Sequence, residues 1–234
     1  MHGTQSPMPE TPPAPAGVIG AAAMARRTAL ILFVFVIVFT GLLAGAYRLT
    51  RPAIEASARE EKMRLINEVL PPGSYDNDLL ADALTLPATP ELGLADGGQV
   101  LRARKQGRPA ALVLEAVAPD GYAGAIRLVL AVGADGRLLG VRITQHKETP
   151  GLGDYIDPNK DKNKAHPWIG QFAGLSLADV PASGWRVKKD GGRFDSVAGA
   201  TVTPRAVVKA VKKALDFAAA RGDALYAASA KEQP

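Results

Sequence analysis

An uninterrupted apolar segment near the N-terminus most constrains how this chain can fold. Residues 28–47 read TALILFVFVIVFTGLLAGAY and contain no charged side chain. About 20 such residues, wound into an α-helix, match the thickness of the hydrocarbon core of a bilayer. We therefore predict a single membrane-spanning helix that follows a disordered segment, residues 1–27, rich in Pro, Ala and Gly. A cleaved signal peptide is the alternative, with residues 44–46 as the cleavage site.

The charges that flank this segment do not fix its orientation. Arg26 and Arg27 precede the segment and favour a cytoplasmic N-terminus. Five positively charged residues follow it and favour the opposite orientation: Arg48, Arg51, Arg59, Lys62 and Arg64. Long domains cross membranes largely regardless of charge, so the count leaves both orientations open.

The rest of the chain divides into a stalk, a folded domain and a tail. Residues 48–96 are predicted to form the stalk. It comprises a polar helix at residues 52–70, which the sequence PPG ends, and then an irregular acidic connection. The folded domain is predicted to extend over residues 97–222, and residues 223–234 are predicted to form a C-terminal tail.

Within the folded domain, apolar residues alternate with other side chains in the manner of β-strands. This pattern predicts four strands, at residues 100–105, 111–117, 126–132 and 139–143. Two shorter segments are predicted to form a further strand and a short helix, at residues 185–188 and 167–172 respectively. The predicted fold class is therefore α+β, with helices packed against an antiparallel sheet.

A segment of small and hydroxyl-bearing residues precedes a predicted C-terminal helix. Residues 195–204 read DSVAGATVTP, and apolar residues then recur at helical spacing as far as Gly222. Thr203 is a good N-cap, and Pro204 suits the first position of a helix. Because a helix N-terminus offers free amides and a partial positive charge, this context suits a phosphate group near Thr201.

Residues 195–201 resemble the recognition motif of bacterial flavoproteins that carry FMN covalently. That motif is Asp, two free positions, Ser or Thr, and then Gly, Ala and Thr. In that family a flavin transferase joins the FMN phosphate to the hydroxyl of the last Thr, which is Thr201 here. The chain departs from the motif at Ala198, and the missing hydroxyl is expected to weaken phosphate contacts or slow the transferase. The other matching positions are also candidates for cofactor binding: Asp195, Gly199 and Ala200.

Two further segments resemble the FMN-binding domain of the G subunit of the Rnf electron-transport complex. Residues 146–153, HKETPGLG, resemble a loop of that domain, although by themselves they predict only a polar turn after a strand. Residues 121–126, GYAGAI, resemble the entry to its central hairpin. The C subunit of the sodium-pumping NADH:quinone reductase has a related domain. The resemblance implies additional cofactor-binding residues: Glu148, Thr149, Gly151 and Gly153.

The resemblance implies an electron-carrying subunit of an Rnf-type ferredoxin:NAD oxidoreductase complex that couples electron flow to ion movement. FMN would be attached to Thr201 through a phosphoester bond. The chain would be a phosphoprotein because Thr201 carries the phosphate of FMN. The implied location is the bacterial inner membrane, with a short cytoplasmic N-terminus and a periplasmic flavin domain. The implied partners are the membrane and iron–sulfur subunits of the complex and a flavin transferase.

Several kinds of chemistry are not expected from this chain alone. It contains no Cys and no nicotinamide-binding glycine fingerprint, so we predict no catalytic residue and no metal site. Its formal net charge of +5 is spread along the sequence, and no nucleic-acid partner is expected. Two alternatives stay open. One is a membrane flavoprotein of another redox complex or sensor, and the other, favoured by Ala198, is a scaffolding subunit that has lost its flavin.

Overall fold

The structure of the chain is a computed structural model that describes residues 20–229. The chain divides into two compact units, residues 1–58 and residues 59–234. The first described helix, α1 (Ala21–Val69), contributes residues to both units. It begins seven residues before the predicted span, because the alanines at its start are strong helix formers. The remainder of the predicted disordered segment, residues 1–19, lies outside the described residues.

In the first unit, α1 includes the apolar segment at residues 28–47, whose side chains are exposed. By length and composition it is able to cross a membrane. Pro52 lies within the helix, where it removes one backbone hydrogen bond without ending the helix. The predicted polar helix at residues 52–70 is confirmed, since α1 continues to Val69 and the sequence PPG follows it.

The second unit contains an antiparallel sheet of five strands in sequential order. The strands are β1 (Ala83–Leu86), β2 (Gly98–Lys105), β3 (Arg108–Gly121), β4 (Gly124–Gly133) and β5 (Leu138–Gln145). Strands β2 to β5 confirm the four strands that alternation predicts. A long C-terminal helix, α2 (Val202–Ala227), completes the α+β fold. The predicted short helix is also present, as the 3₁₀-helix Trp168–Phe172.

Three local predictions are wrong. Strand β1 lies within the stretch predicted to be irregular, because Leu84 and Leu86 are buried when this strand pairs with β2. Residues 185–188 do not form a strand, and only Val187 makes an isolated bridge, to Phe194. Helix α2 continues beyond Gly222 to Ala227, because tertiary contacts hold its last turn.

The two faces of the sheet bury different sets of side chains, as the alternation of a β-strand requires. On one face, residues such as Leu112 and Leu114 pack with α2 in the larger core. On the other face, Val113 and its neighbours pack with the end of α1, including Ile66 and Val69. The sheet is therefore covered on both sides, which gives its strand ends and connecting loops a rigid base.

Two arginines on β2 hold the C-terminal end of α2. The Arg102 side chain is 3% exposed and forms an ion pair with Asp82, which also pairs with Arg104 at 2.8 Å. Both guanidinium groups also donate hydrogen bonds to carbonyl groups at the end of α2, those of Leu225, Tyr226 and the C-cap residue Ala228. Positive charge at this end of a helix is favourable, and the otherwise free carbonyls gain donors.

Candidate functional site

The three segments identified by resemblance meet around one cavity of about 240 Å³. Tyr122 contributes from the β3–β4 turn, residues 148–153 from the loop after β5, and residues 199–203 from the start of α2. Six of the eight candidate cofactor-binding residues line this cavity: Glu148, Thr149, Gly153, Gly199, Ala200 and Thr201.

Thr201 presents an unengaged hydroxyl to this cavity. It is the N-cap residue of α2, with φ −87° and ψ −23°, and its side chain makes no capping hydrogen bond. The side chain is half-buried, and its hydroxyl has no hydrogen-bond partner within residues 20–229. The N–H groups of Val202 and Thr203 also lack an acceptor in the described part of the chain, as expected at the start of a helix. A free hydroxyl therefore adjoins two free amides.

The prediction that Thr203 caps α2 is wrong. Thr203 is the second residue of the helix and is buried, and its hydroxyl donates a hydrogen bond of 2.5 Å to Oε2 of Glu148. The predicted N1 residue, Pro204, is the third residue of the helix. The helix begins earlier because the Glu148 carboxylate binds the Thr203 hydroxyl, leaving Thr201 at the cap position.

Glu148 joins all three segments of the site. Its carboxylate is buried, with 4% of the residue exposed, and Oε1 accepts the backbone N–H of Ala123 at 3.1 Å. With the bond from Thr203, this carboxylate links the β3–β4 turn and the first turn of α2 to its own loop. No cation pairs with it among the described residues. A buried carboxylate without a cation depends on its hydrogen bonds, so this geometry is sensitive to small changes.

Gly153 packs directly against this carboxylate. A Cβ atom at this position would lie 2.7 Å from Oγ1 of Thr203 and 2.8 Å from Oε2 of Glu148. Its φ of −88° is one that any residue adopts, so close packing is the reason for glycine here. By contrast, Gly199 has nothing within 4 Å of such a Cβ atom but has a φ of +84°, which favours glycine in its turn.

We expect Gly153→Ala to separate Glu148 from Thr203 and lower the free energy of unfolding by about 1–3 kcal/mol. Gly170→Ala is the matched control, because Gly170 has open space around it and no positive φ. Chemical denaturation of both variants measures the difference. Equal stability of the two variants would contradict the close packing described here.

Tyr155 fixes the backbone of residues 195–201, the flavin-motif segment, through two hydrogen bonds. Its hydroxyl donates a hydrogen bond to the carbonyl of Ala200 at 3.2 Å and accepts one from the N–H of Val197 at 3.4 Å. Burial raises the pKa of Tyr155 to about 12, so the phenol stays protonated and remains a donor at neutral pH. Trp168 acts similarly, since its indole N–H donates to the carbonyl of Asp195 at 2.7 Å. Sequence reasoning missed these two roles, because no local pattern indicates them.

Asp195 and Gly151 lie outside the Thr201 cavity. Both line a larger neighbouring cavity of about 680 Å³, and Leu152 is shared between the two cavities. The Asp195 carboxylate pairs with the ammonium group of Lys188 at 2.5 Å. Ala198, the departure from the flavin motif, is exposed in the turn and lines neither of these two cavities.

Two family models match parts of this chain. The family model described as the RnfG N-terminal region matches residues 22–69, and the model described as the FMN-binding domain matches residues 121–216. The second match includes every segment that lines the Thr201 cavity.

Similar proteins, each named as the G subunit of an ion-translocating oxidoreductase complex, cover most of the chain. The protein from Pseudomonas aeruginosa is 49% identical over 201 residues, which are 86% of this chain and 92% of that protein. The protein from Cronobacter sakazakii is 44% identical over 189 residues, 81% and 88% of the two chains. The protein from Vibrio cholerae is 42% identical over 192 residues, 82% and 89% of the two chains. This chain therefore belongs to the family of G subunits of ion-translocating oxidoreductase complexes.

Proposed function

We propose that this chain is the electron-carrying subunit of a membrane-bound, Rnf-type ferredoxin:NAD oxidoreductase complex, with FMN attached to Thr201 by a phosphoester bond. One observation carries the proposal. Thr201 is half-buried, its hydroxyl is unengaged, and it lines a cavity within the segment matched as an FMN-binding domain.

The residues around Thr201 suit a phosphate group. The free N–H groups of Val202 and Thr203 lie at the positive end of α2, which is 26 residues long. Helix N-termini bind phosphate through such amides and through the helix dipole. No Lys or Arg is among the residues that line this cavity. In this proposal the backbone amides, rather than a cationic side chain, stabilise the phosphate.

The loop after β5 suits the uncharged part of the cofactor. Thr149 is exposed at the cavity and offers a hydroxyl, while the Glu148 carboxylate keeps acceptor capacity beyond its two hydrogen bonds. That capacity suits a donor N–H of the ring or a ribityl hydroxyl. When bound, FMN supplies one-electron and two-electron redox chemistry, and the protein positions it. Gly151 and Asp195 remain proposed contacts at the edge of the site.

Reduction of the whole complex tests the electron-carrying role. The visible flavin absorption is recorded for the wild-type complex and for a complex carrying Thr201→Ala. The difference between the two spectra is the absorption of the flavin in this subunit. We expect this difference absorption to bleach when reduced ferredoxin or NADH is added. A difference spectrum that stays oxidised while the complex turns over would refute electron carriage by this flavin.

We further propose that the chain crosses the bacterial inner membrane once and that the flavin domain lies in the periplasm. A covalent bond would retain FMN where no cytoplasmic pool can replace it, and it requires a flavin transferase as a maturation partner. The other proposed partners are the membrane and iron–sulfur subunits of the complex. The relatives named as subunits of an ion-translocating complex, together with the apolar helix, support this location.

The absence of Cys from the chain makes its orientation simple to measure. A single Cys at position 108, Arg108→Cys, lies at an exposed strand end of the second unit. We expect a membrane-impermeant maleimide to label it in cells whose outer membrane is permeabilised. The control is Arg27→Cys, which should react only after lysis. The reverse pattern would place the flavin domain in the cytoplasm.

A scaffolding subunit without flavin is the second candidate function. It is favoured by Ala198, where the family motif has Ser or Thr. If the chain has this function, Thr201 is unmodified even when an active flavin transferase is present. A flavoprotein of another redox complex or a sensor would instead keep the modification and lack the subunits of an ion-translocating complex.

A further inference from the structure

A compact loop directly precedes the flavin-motif segment. Its backbone folds back on itself, because the N–H of Phe194 donates to the carbonyl of Arg186 at 3.1 Å and the N–H of Lys188 donates to the carbonyl of Phe194 at 2.7 Å. The Phe194 side chain is fully buried beneath it. We call residues 186–194 the basic loop. These bonds fix the places from which its charged side chains project.

The basic loop carries four cations and one carboxylate. All five residues are exposed: Arg186, Lys188, Lys189, Arg193 and Asp190. Within residues 20–229, the side chains of Arg186, Lys189 and Arg193 form no hydrogen bond and no ion pair. The hydrogen bonds from Arg205 lower the pKa of Asp190, and the charges of Lys189 and Arg186 lower it further. The charged groups of the loop therefore lie close enough together to act on one another.

Two ion pairs join the basic loop to both ends of the flavin-motif segment. At the start of the segment, Lys188 pairs with Asp195 at 2.5 Å. Beyond its end, Arg205 donates two hydrogen bonds to Asp190, at 2.6 and 2.7 Å. The backbone N–H of Arg205 also donates to the carbonyl of Thr201 at 3.3 Å. The basic loop and the proposed flavin acceptor thus belong to one surface.

Positive charge stays in excess on this surface when every carboxylate is counted as ionised. The four cations of the loop and Arg205 face two carboxylates, Asp190 and Asp195, which gives an excess of three. The neighbouring cavity of about 680 Å³ adds two cations and two further carboxylates: Lys160, Lys162, Asp154 and Asp161. These four balance, and Glu148 in the Thr201 cavity reduces the excess to two.

The excess charge lies outside the Thr201 cavity. No residue of the basic loop lines that cavity, so backbone amides and not these side chains would hold the phosphate of attached FMN. The unpaired cations instead face a molecule that approaches Thr201 from solvent. In the proposed attachment, that molecule delivers a flavin phosphate, which is an anion. Opposite charges of this kind steer association and raise its rate.

We infer that the basic loop is the docking surface for the flavin transferase loaded with its phosphate-bearing flavin. The inference rests on the proposed attachment of FMN to Thr201. The transferase is the occupant because the loop is bonded to both ends of the segment that this enzyme must reach. Arg186, Lys189 and Arg193 would attract the flavin phosphate, while Lys188 and Arg205 hold the loop against the segment.

The rate of FMN attachment to the purified full-length protein tests this inference. The protein, in uncharged detergent, is incubated with flavin transferase and FAD, in which the FMN phosphate is joined to AMP as an anhydride. The oxygen of Thr201 replaces AMP on the phosphorus, and AMP leaves with the hydroxyl proton. Flavin fluorescence of the denatured protein after electrophoresis gives the initial rate and the final yield.

The test variant combines Arg186→Gln, Lys189→Gln and Arg193→Gln. We expect its initial rate to be about tenfold lower than that of the wild-type protein at an ionic strength of about 0.02 M. The difference should largely disappear at about 0.5 M, because salt screens exposed charges. The final yield should match the wild type, since Thr201 is unchanged.

The matched control removes the same amount of charge away from the site. It combines Lys105→Gln, Arg108→Gln and Lys213→Gln, at three exposed positions. Lys105 and Arg108 lie at the hairpin of β2 and β3, and Lys213 lies 12 residues along α2 from Thr201, about 18 Å. We expect this control to keep the wild-type rate. Thermal unfolding shows whether both triple variants keep the fold.

Several outcomes would overturn the inference. They are an unchanged rate in the test variant, an equal fall in both variants, and a fall that persists at high salt. Slowing that occurs only when vesicles of anionic lipid are added would assign the basic loop to a lipid surface instead. A wild-type protein that takes up no FMN would refute the attachment itself and the inference with it, whereas the other outcomes leave the attachment standing.

Discussion

Thr201→Ala is expected to remove all covalently bound FMN while leaving the fold intact. The alanine lacks the oxygen that the phosphoester requires. The change in the free energy of unfolding should be about 0.5 kcal/mol or less, because the Thr201 side chain makes no capping hydrogen bond. Intact mass and the visible flavin absorption of the denatured protein measure attachment, and thermal unfolding measures the fold.

Two variants serve as controls for this result. Thr201→Ser keeps a hydroxyl and should retain attached FMN, although at a different rate. Thr149→Ala removes another exposed hydroxyl from the same cavity and should leave the covalent bond in place. Covalent FMN on the Thr201→Ala protein after denaturation would show that another residue is the acceptor.

Arg102→Met is expected to cause the largest loss of stability outside the site. The change removes a buried charge from its pair with Asp82 and leaves the carbonyls of Leu225 and Ala228 without this donor. Because Asp82 keeps its pair with Arg104, the loss comes mainly from the carbonyls left without this donor, and it should be about 2–4 kcal/mol. For a domain of this size the melting temperature should fall by about 10 °C, as measured by circular dichroism of the full-length protein.

The matched control for this variant is Arg108→Met. Arg108 is exposed at the start of β3 and has no side-chain partner in the described residues, so its replacement should change stability by about 0.5 kcal/mol or less. If Arg102→Met proves no less stable than this control, the hydrogen bonds to the end of α2 contribute little. Burial of the Leu225 side chain would then be what holds the C-terminal end of α2 in place.

The spacing of apolar residues predicts a helix or strand when the element's own sequence contains the full pattern. The apolar segment at residues 28–47 and strands β2 to β5 are of this kind. Strand β1 was missed because its four residues become a strand only by pairing with β2. The end of α2 was misplaced because the local signal of Gly222 is overridden by the burial of Leu225.

Resemblance identified the three segments that line the Thr201 cavity, whereas the hydrogen bonds within that cavity were not predictable from sequence. Three segments distant in sequence converge on Thr201, as the resemblance implies. The hydrogen bond between Thr203 and Glu148 joins residues 55 positions apart, and nothing local in either segment indicates it. The position of Thr201 as the N-cap follows from that bond, so it also required the folded structure. Loops on a rigid sheet and helix, as here, are a common place for functional residues.

Peptide mass spectrometry of the protein from its native membrane shows whether FMN is attached and to which side chain. Trypsin releases residues 194–205, which contain three hydroxyl-bearing side chains: Ser196, Thr201 and Thr203. We expect the added mass of FMN less one water, with fragment ions that place it on Thr201. An unmodified peptide, from cells whose flavin transferase modifies another substrate, would refute covalent attachment to Thr201, as would attachment to Ser196 or Thr203.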